Sequence, residues 1–338
     1  MGTKKSKAGK RSKKVAKPSP QAEERGLPEG VDTESAQPST GLKQAFPIVG
    51  VGASAGGLEA FTSFLTHLPS DPGMAFVLIP HLDPNQPSQL TDLLSKATSM
   101  PVLEVKTDTS VEANHVYVMA PGVCLSMADG LHLRAEPRGP GRQLPIDFFL
   151  RSLANEKTSN AVGIVLSGTA SDGTLGLKAV KAEGGITFVQ EPTSAKFDGM
   201  PRSAVAAGVA DFVLPPAGIA ERLVQLARRP YVPHEPEQRD DTAQDVEFDL
   251  NRIFHLLRTV TGNDFTHYKH STIRRRSHRR MVLHGDAKLS DYVAYLQENP
   301  AEIRVLADDL LNGPGLTVQF SLPAESRGQQ SSAASKSV

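Results

Sequence analysis

Between residues 46 and 229, short apolar runs alternate with amphipathic stretches. The runs at 48–51, 75–79, 161–166, 186–189 and 212–214 are four to six residues or fewer, continuous and rich in Val, Ile and Phe. That is the pattern of strands buried on both faces, as parallel strands are. Stretches at 58–68, 175–182 and 217–228 place apolar residues at helical spacing. Strand–helix alternation of this kind predicts an α/β fold: a doubly wound, mostly parallel sheet. The segment from His115 to Arg134 breaks the rhythm. Its runs at 115–119, 123–127 and 131–134 are short, and Asp129-Gly130 between the last two is a hairpin turn pair, so an antiparallel hairpin at the sheet edge is expected.

Residues 231–245 are rich in Pro and charge and read as a linker. Beyond them the period is helical only, at 248–260, 271–283, 289–298 and 301–311, with Pro300 suited to a first helical turn. The expected organisation is a disordered basic tail (1–44), an α/β domain (45–230), the linker (231–245), a small all-α domain (246–312) and a disordered tail (313–338). Both tails lack an apolar period and cannot bury enough surface to offset chain entropy.

Charge changes this picture little. Lys+Arg and Asp+Glu both number 37, so no overall field draws the chain to nucleic acid or an anionic membrane. The balance hides a basic start, since residues 1–17 hold eight Lys or Arg and no acid. No run is long enough for a membrane helix, and the basic start lacks the apolar core of a signal peptide. Met1-Gly2-Thr3-Lys4-Lys5-Ser6 matches the loose acylation pattern, which short sequences often do by chance. A single cysteine, Cys124 in an apolar stretch, excludes an intrachain disulfide and fits a reducing, cytoplasmic compartment.

The candidate chemistry lies where apolar runs end. Gly50-Val51-Gly52-Ala53-Ser54-Ala55-Gly56-Gly57 puts a serine on a Gly-rich turn between a strand and a helix, and Gly52–Gly56 satisfies G-x-S-x-G. A helix N-terminus there offers N–H groups to a developing oxyanion. Taken alone the segment also fits a phosphate-cradling loop or a plain tight turn. The nucleotide reading lacks its acidic residue after the next strand, because that strand runs into Pro80-His81. His81 would stand on the rim beside Ser54, placed to take its proton. A third strand opens into Leu166-Ser167-Gly168-Thr169-Ala170-Ser171-Asp172-Gly173. Asp172 is there either a helix cap or the carboxylate that orients His81. The order Ser–His–Asp differs from that of α/β-hydrolases, and the Thr169 N–H is a further oxyanion donor candidate.

These three segments closely resemble the catalytic domain of the CheB family of chemotaxis protein-glutamate methylesterases. Further likeness is carried by Ala120-Pro121-Gly122, Pro145-Ile146-Asp147 and Phe197-Asp198-Gly199-Met200-Pro201-Arg202-Ser203-Ala204, in the family's order over 46–229. The resemblance implies hydrolysis of glutamate methyl esters on chemoreceptor cytoplasmic helices, releasing methanol, with glutamine deamidation as a related activity. It implies Ser54 as nucleophile, His81 as base and Asp172 as its orienting partner, with no cofactor and no metal. Implied partners are the methylated receptor helices and other chemotaxis signalling proteins, without nucleic acid and without membrane insertion. A receptor-binding module that keeps the fold without turnover is the alternative. Ala55 stands where many members have Ser or Thr, and residues 1–44 carry no pattern for the family's usual receiver domain.

The helical unit resembles the N-terminal domain of the CheR chemoreceptor methyltransferases. Tyr268-Lys269-His270-Ser271-Thr272-Ile273-Arg274-Arg275-Arg276 with Arg279-Arg280-Met281 carries that likeness. Its cations are expected either to meet acidic helical substrates or to form a solvated basic face. No Gly-rich S-adenosylmethionine loop follows, so methyltransferase activity is not expected, and the layout reads as a truncated methylesterase–methyltransferase fusion.

Overall fold

The computed structural model describes residues 46–311 apart from 85, 87, 140–143, 158–159, 229–242 and 287. The tails at 1–44 and 313–338, the acylation motif and most of the 231–245 linker lie outside the described residues.

Seven strands form the main sheet in the order β10-β9-β8-β1-β2-β5-β3, every neighbouring pair parallel. They are β1 (Ile48–Ala53), β2 (Ala75–Pro80), β3 (Val102–Val105), β5 (Val116–Met119), β8 (Ala161–Val165), β9 (Ile186–Gln190) and β10 (Phe212–Leu214). From β1 the chain lays β2 beside it and β3 at the edge, comes back to place β5 between them, then crosses to β8 on the other side of β1 and grows the opposite way. The crevice between the carboxyl ends of β1 and β8 is therefore the topological switch point, where doubly wound sheets bind ligands.

Helices cover both faces. On one face lie α3 (Pro145–Lys157), α4 (Thr174–Ala182) and α5 (Gly199–Ala206); on the other lie α1 (Gly57–Thr66), the short α2 (Leu90–Leu94) and α6 (Pro216–Arg228). Glycines let α3 approach. A Cβ on Gly50 would fall 2.7 Å from Leu150 and one on Gly52 2.3 Å from Ile146, so these strand residues are bare where the helix crosses. Burying Ile146, Phe149 and Leu150 there stabilises the fold by about 1.5–3 kcal/mol each.

The antiparallel hairpin forms around Asp129-Gly130 as expected, but in a separate sheet rather than at the edge of the main one. Residues 116–119 do not join the hairpin; they form β5, a parallel strand between β2 and β3. The hairpin is β6 (Val123–Ala128) with β7 (His132–Pro137), and the two-residue β4 (Thr109–Ser110) completes a separate three-stranded sheet. Asp129 at φ 47° and Gly130 at φ 71° close it, the left-handed pair that a tight hairpin turn demands. Cys124 is buried.

The helical unit comprises α7 (Ala243–Thr261), α8 (His270–His284), α9 (Leu289–Glu298) and α10 (Pro300–Leu311) around a core of its own that includes Ile253, Leu257, Ile273, Tyr292, Leu296 and Leu306. Its basic helix α8 is neither a solvated face nor wholly open to a substrate. Arg276 and Arg279 are 3% and 2% exposed, because carbonyls and carboxylates of the α/β unit wait for them. No described helix is long and apolar enough to cross a membrane.

Candidate active site

Strand register brings the serine and the histidine together. In the β1–β2 ladder Ala53 pairs with Pro80, so Ser54 and His81 are the next residues on adjacent strands, and the His81 N–H donates to the Ala53 carbonyl at 3.0 Å. The Ser54 N–H in turn donates to the Ser167 carbonyl at 2.9 Å, tying the serine to the loop after β8. The turn into α1 is made by Gly56 in the left-handed region at φ 73°. A side chain there would also collide with the Ser167 hydroxyl at 2.7 Å.

Asp172 reaches the same edge from the β8–α4 loop and is 1% exposed. His81 Nε2 donates to its Oδ2 at 2.6 Å. The carboxylate also accepts the Ile146 N–H on Oδ2 (3.1 Å) and the Asp147 and Gly173 N–H groups on Oδ1 (both 2.9 Å). Four donors around one buried carboxylate fix its orientation. Because Nε2 is engaged, Nδ1 is the ring nitrogen left to exchange a proton. Among the described residues no hydrogen bond links the Ser54 hydroxyl to His81, as is common before a substrate tightens such a site.

Asp172 does not cap its own helix in the usual way. Gly173, at φ 93°, is the N-cap of α4, while Asp172 binds the first-turn amides of α3. The arrangement is reciprocal. Asp147 in the first turn of α3 accepts the Gly176 N–H of α4 at 2.6 Å, so each helix start is satisfied by a carboxylate from the other. Burial pushes the Asp147 carboxyl above its usual range, opposed by the Gly176 amide and reinforced by the neighbouring Asp172 charge.

The loop walls are equally constrained. The Ser167 hydroxyl donates to the Ala55 carbonyl (2.8 Å) and accepts the Phe197 N–H (3.0 Å), and the Gln190 side chain accepts the Ser167 N–H (2.8 Å). Ala170 is held at φ 64°, a strained conformation for a residue with a Cβ, and a Cβ on Gly199 would lie 3.0 Å from its nitrogen. A Cβ on Gly168 would sit 3.0 Å from the Cβ of Ser54. The amides of Ala55, Gly56 and Thr169 have no acceptor among the described residues, which leaves donors on both sides of the serine. No cluster of metal-binding side chains occurs among the described residues.

All three residues singled out from the sequence thus come to one crevice, His81 and Asp172 in direct contact and Ser54 beside His81 by strand register. Sequence reasoning missed the parts that hold them. Asp147, Ser167 and Gln190 act through contacts with segments 20 or more residues away; Asp147 and Ser167 lie in stretches that carry the family likeness but gain no role from it, and Gln190 is marked only by its polarity at the end of an apolar run.

Fold and site together define a class: a doubly wound α/β domain carrying a Ser–His–Asp set at its switch point. More closely, the chain belongs to the CheB methylesterase family, whose model matches residues 49–223. Residues 249–311 match the all-alpha domain of CheR methyltransferase. A 104.1 kDa protein encoded in the hypE 3′ region of Rhodobacter capsulatus is 35% identical over 242 residues, covering 66% of this chain and 25% of that protein. The protein-glutamate methylesterase/protein-glutamine glutaminase 2 of Burkholderia lata is 34% identical over 215 residues, covering 60% of this chain and 58% of its own length. The corresponding enzyme 1 of Geobacter sulfurreducens is 31% identical, covering 56% and 54%. The chain therefore spans a quarter to somewhat more than half of these relatives. Among solved structures, the Thermotoga maritima CheB methylesterase catalytic domain superposes with a TM-score of 0.50 at 28% identity, covering 54% of this chain and 98% of that one.

Proposed function

We propose that the chain is a protein-glutamate methylesterase acting on methylated glutamates of chemoreceptor cytoplasmic helices, with Ser54 as nucleophile, His81 as general base and acid, and Asp172 as the group that orients His81. The observation that carries this reading is the 2.6 Å contact of a buried, fourfold hydrogen-bonded carboxylate with His81, one register step from the serine.

The chemistry follows from the placement. His81 Nδ1 takes the Ser54 proton as Oγ attacks the ester carbonyl, and the imidazolium formed is stabilised by the Asp172 carboxylate. The carbonyl oxygen, now an anion, meets N–H groups at the start of α1 and at Thr169, in a crevice where such dipoles need no reorganisation. Ala55 offers only its backbone here. His81 returns the proton to the leaving methoxide, methanol departs, and a glutamyl ester on Ser54 remains. Water, deprotonated by His81, then cleaves that ester to free glutamate and regenerated serine. A glutamine amide follows the same path with ammonia as leaving group, consistent with the second name its relatives carry. Cytoplasmic placement follows from such a substrate.

The test uses receptor methylated on its glutamates and mass spectrometry of its peptides. Time-dependent loss of the methyl groups with matching methanol release is expected. A receptor that keeps every methyl group, while the folded protein binds it, would support the binding-module alternative instead.

A further inference from the structure

The arginine face of α8 is turned onto the α/β unit. Arg279, its side chain wholly buried, donates through Nε to the Gly185 carbonyl at 3.0 Å. Its two terminal nitrogens divide between Asp211 of the α/β unit and Asp309 of α10, the latter at 2.8 Å. Arg276 donates to the carbonyls of Ala182 (2.5 Å) and Lys181 (3.3 Å), in the last turn of α4. Arg275 pairs with Glu183 at 2.7 Å. One turn further, Val282 and Leu283 pack against the core under α1 and α6, and Arg222 donates to the Leu283 carbonyl at 3.4 Å.

Each contact has a physical reason. The end of α4 presents carbonyls without intrahelical partners and the negative end of a helix dipole. A guanidinium, with five donors spread over three nitrogens in a planar fork, can reach separated carbonyls and a carboxylate together, where an ammonium offers its three donors from a single nitrogen. Gly184, at φ 85°, keeps the floor bare: a Cβ there would meet the Arg275 stem at 2.7 Å. Asp211 is 4% exposed in its side chain and also accepts the Thr187 N–H and hydroxyl. Burial alone would raise its carboxyl, but Arg279 and Lys181 outweigh burial and hold it below the usual range. Burial likewise lowers Arg276 to about 10. Charges buried to this extent are tolerated only while their partners stay in place.

The location matters as much as the chemistry. Gly185 immediately precedes β9 and Asp211 immediately precedes β10, so the contact lies at the amino-terminal edge of the sheet. Ser54, His81 and Asp172 follow strands at the carboxyl edge. The helical unit thus occupies the far edge and leaves the crevice uncovered.

We propose that this edge, made of the last turn of α4, the Gly184-Gly185 turn and Asp211, is a recognition surface for an arginine-bearing helix of the CheR all-alpha type, filled in this chain by its own α8. Docking, rather than the connection at 229–242, holds the two units together. Arg276 and Arg279 are consumed by this contact, so they are not available to an acidic partner. The inference stands apart from the hydrolase reading, since none of its residues belongs to the crevice.

A protease site placed within residues 229–242 of the full chain tests it. After cleavage the two pieces are passed over a sizing column at about 10 μM, with circular dichroism to show that both remain folded. Wild-type pieces are expected to elute together. Glu183→Arg, at a position about a quarter exposed, should weaken their association about tenfold or more, and adding Arg275→Glu should restore it to within about threefold. Arg276→Glu with Arg279→Glu should separate the pieces outright. Folded wild-type pieces that elute apart, or a reversed pair that fails to restore association, would overturn the proposal.

Discussion

Exchanging Asp172 for asparagine replaces one oxygen by an NH2 group, and the hydrogen bonds around that side chain set the cost. Four donors converge on the carboxylate: His81 Nε2 and the Ile146 N–H at Oδ2, the Asp147 and Gly173 N–H groups at Oδ1. The asparagine oxygen can serve only one of these pairs. Whichever way the amide turns, its NH2 faces two donors, and with 1% exposure no water replaces the lost acceptor. At roughly 1–3 kcal/mol for each of two buried donors left without an acceptor, Asp172→Asn should destabilise the fold by about 2–6 kcal/mol. Catalysis suffers in either orientation. With the NH2 toward His81, the ring loses its acceptor and its tautomer; with the oxygen toward His81, the imidazolium loses its counter-charge. A fall in kcat of about 10²–10⁴ is expected, the range that positioned proton transfer supplies. Urea unfolding followed by circular dichroism reads the first quantity and methanol release the second. An Asp172→Asn protein within about 0.5 kcal/mol of wild type, a difference typical of an ordinary surface site, would refute the hydrogen-bond reasoning. Retention of wild-type kcat would refute the role given to the carboxylate.

Three further outcomes follow from named contacts. Gly168→Ala would drive a Cβ to 2.1 Å from the Met200 sulfur and 3.0 Å from the Ser54 Cβ; a loss of about 1–3 kcal/mol in urea unfolding is expected, with kcat reduced more than KM is raised. Asp147 has its folded pKa raised above 3.8, so the cost of its charge is absent below that value and develops as pH rises through the folded pKa. Asp147→Asn, which keeps an acceptor for Gly176, should therefore gain thermal stability relative to wild type as pH is raised from 4 toward neutrality, whereas Asp147→Ala should lose it throughout. Asp211 shifts the other way: its stabilisation is full above 3.8 and lost as pH falls through its lower folded pKa, so the stability gap between wild type and Asp211→Asn should narrow in acid.

Much of the site was legible because it depends on local pattern. A continuous apolar run ending in a candidate residue predicts a buried strand delivering that residue to the carboxyl edge, and this placed Ser54 and His81. Less legible was everything decided by distant segments. Gly50 and Gly52 read as turn glycines, yet their bareness serves the crossing of α3, some 100 residues on. Residues 115–119 read as part of an antiparallel stretch because short strands in sequence usually pair with neighbours; here β5 instead fills a gap between β2 and β3. Asp172 could be read as a helix cap, and it does bind helix-start amides, but those of α3. The arginines of α8 follow the same rule. Charge along one helix predicts a polar face, and nothing in that helix reveals the carbonyls of Lys181, Ala182 and Gly185 that receive it.

The central claim is that Ser54 is the nucleophile of a methylesterase. Methanol release from methylated receptor, compared between wild type and Ser54→Ala at equal folded concentration, tests it most directly. Steady release by wild type and a drop of about 10³-fold or more in Ser54→Ala is the predicted result, since triad members act as a unit. Equal release by the two proteins would contradict the account.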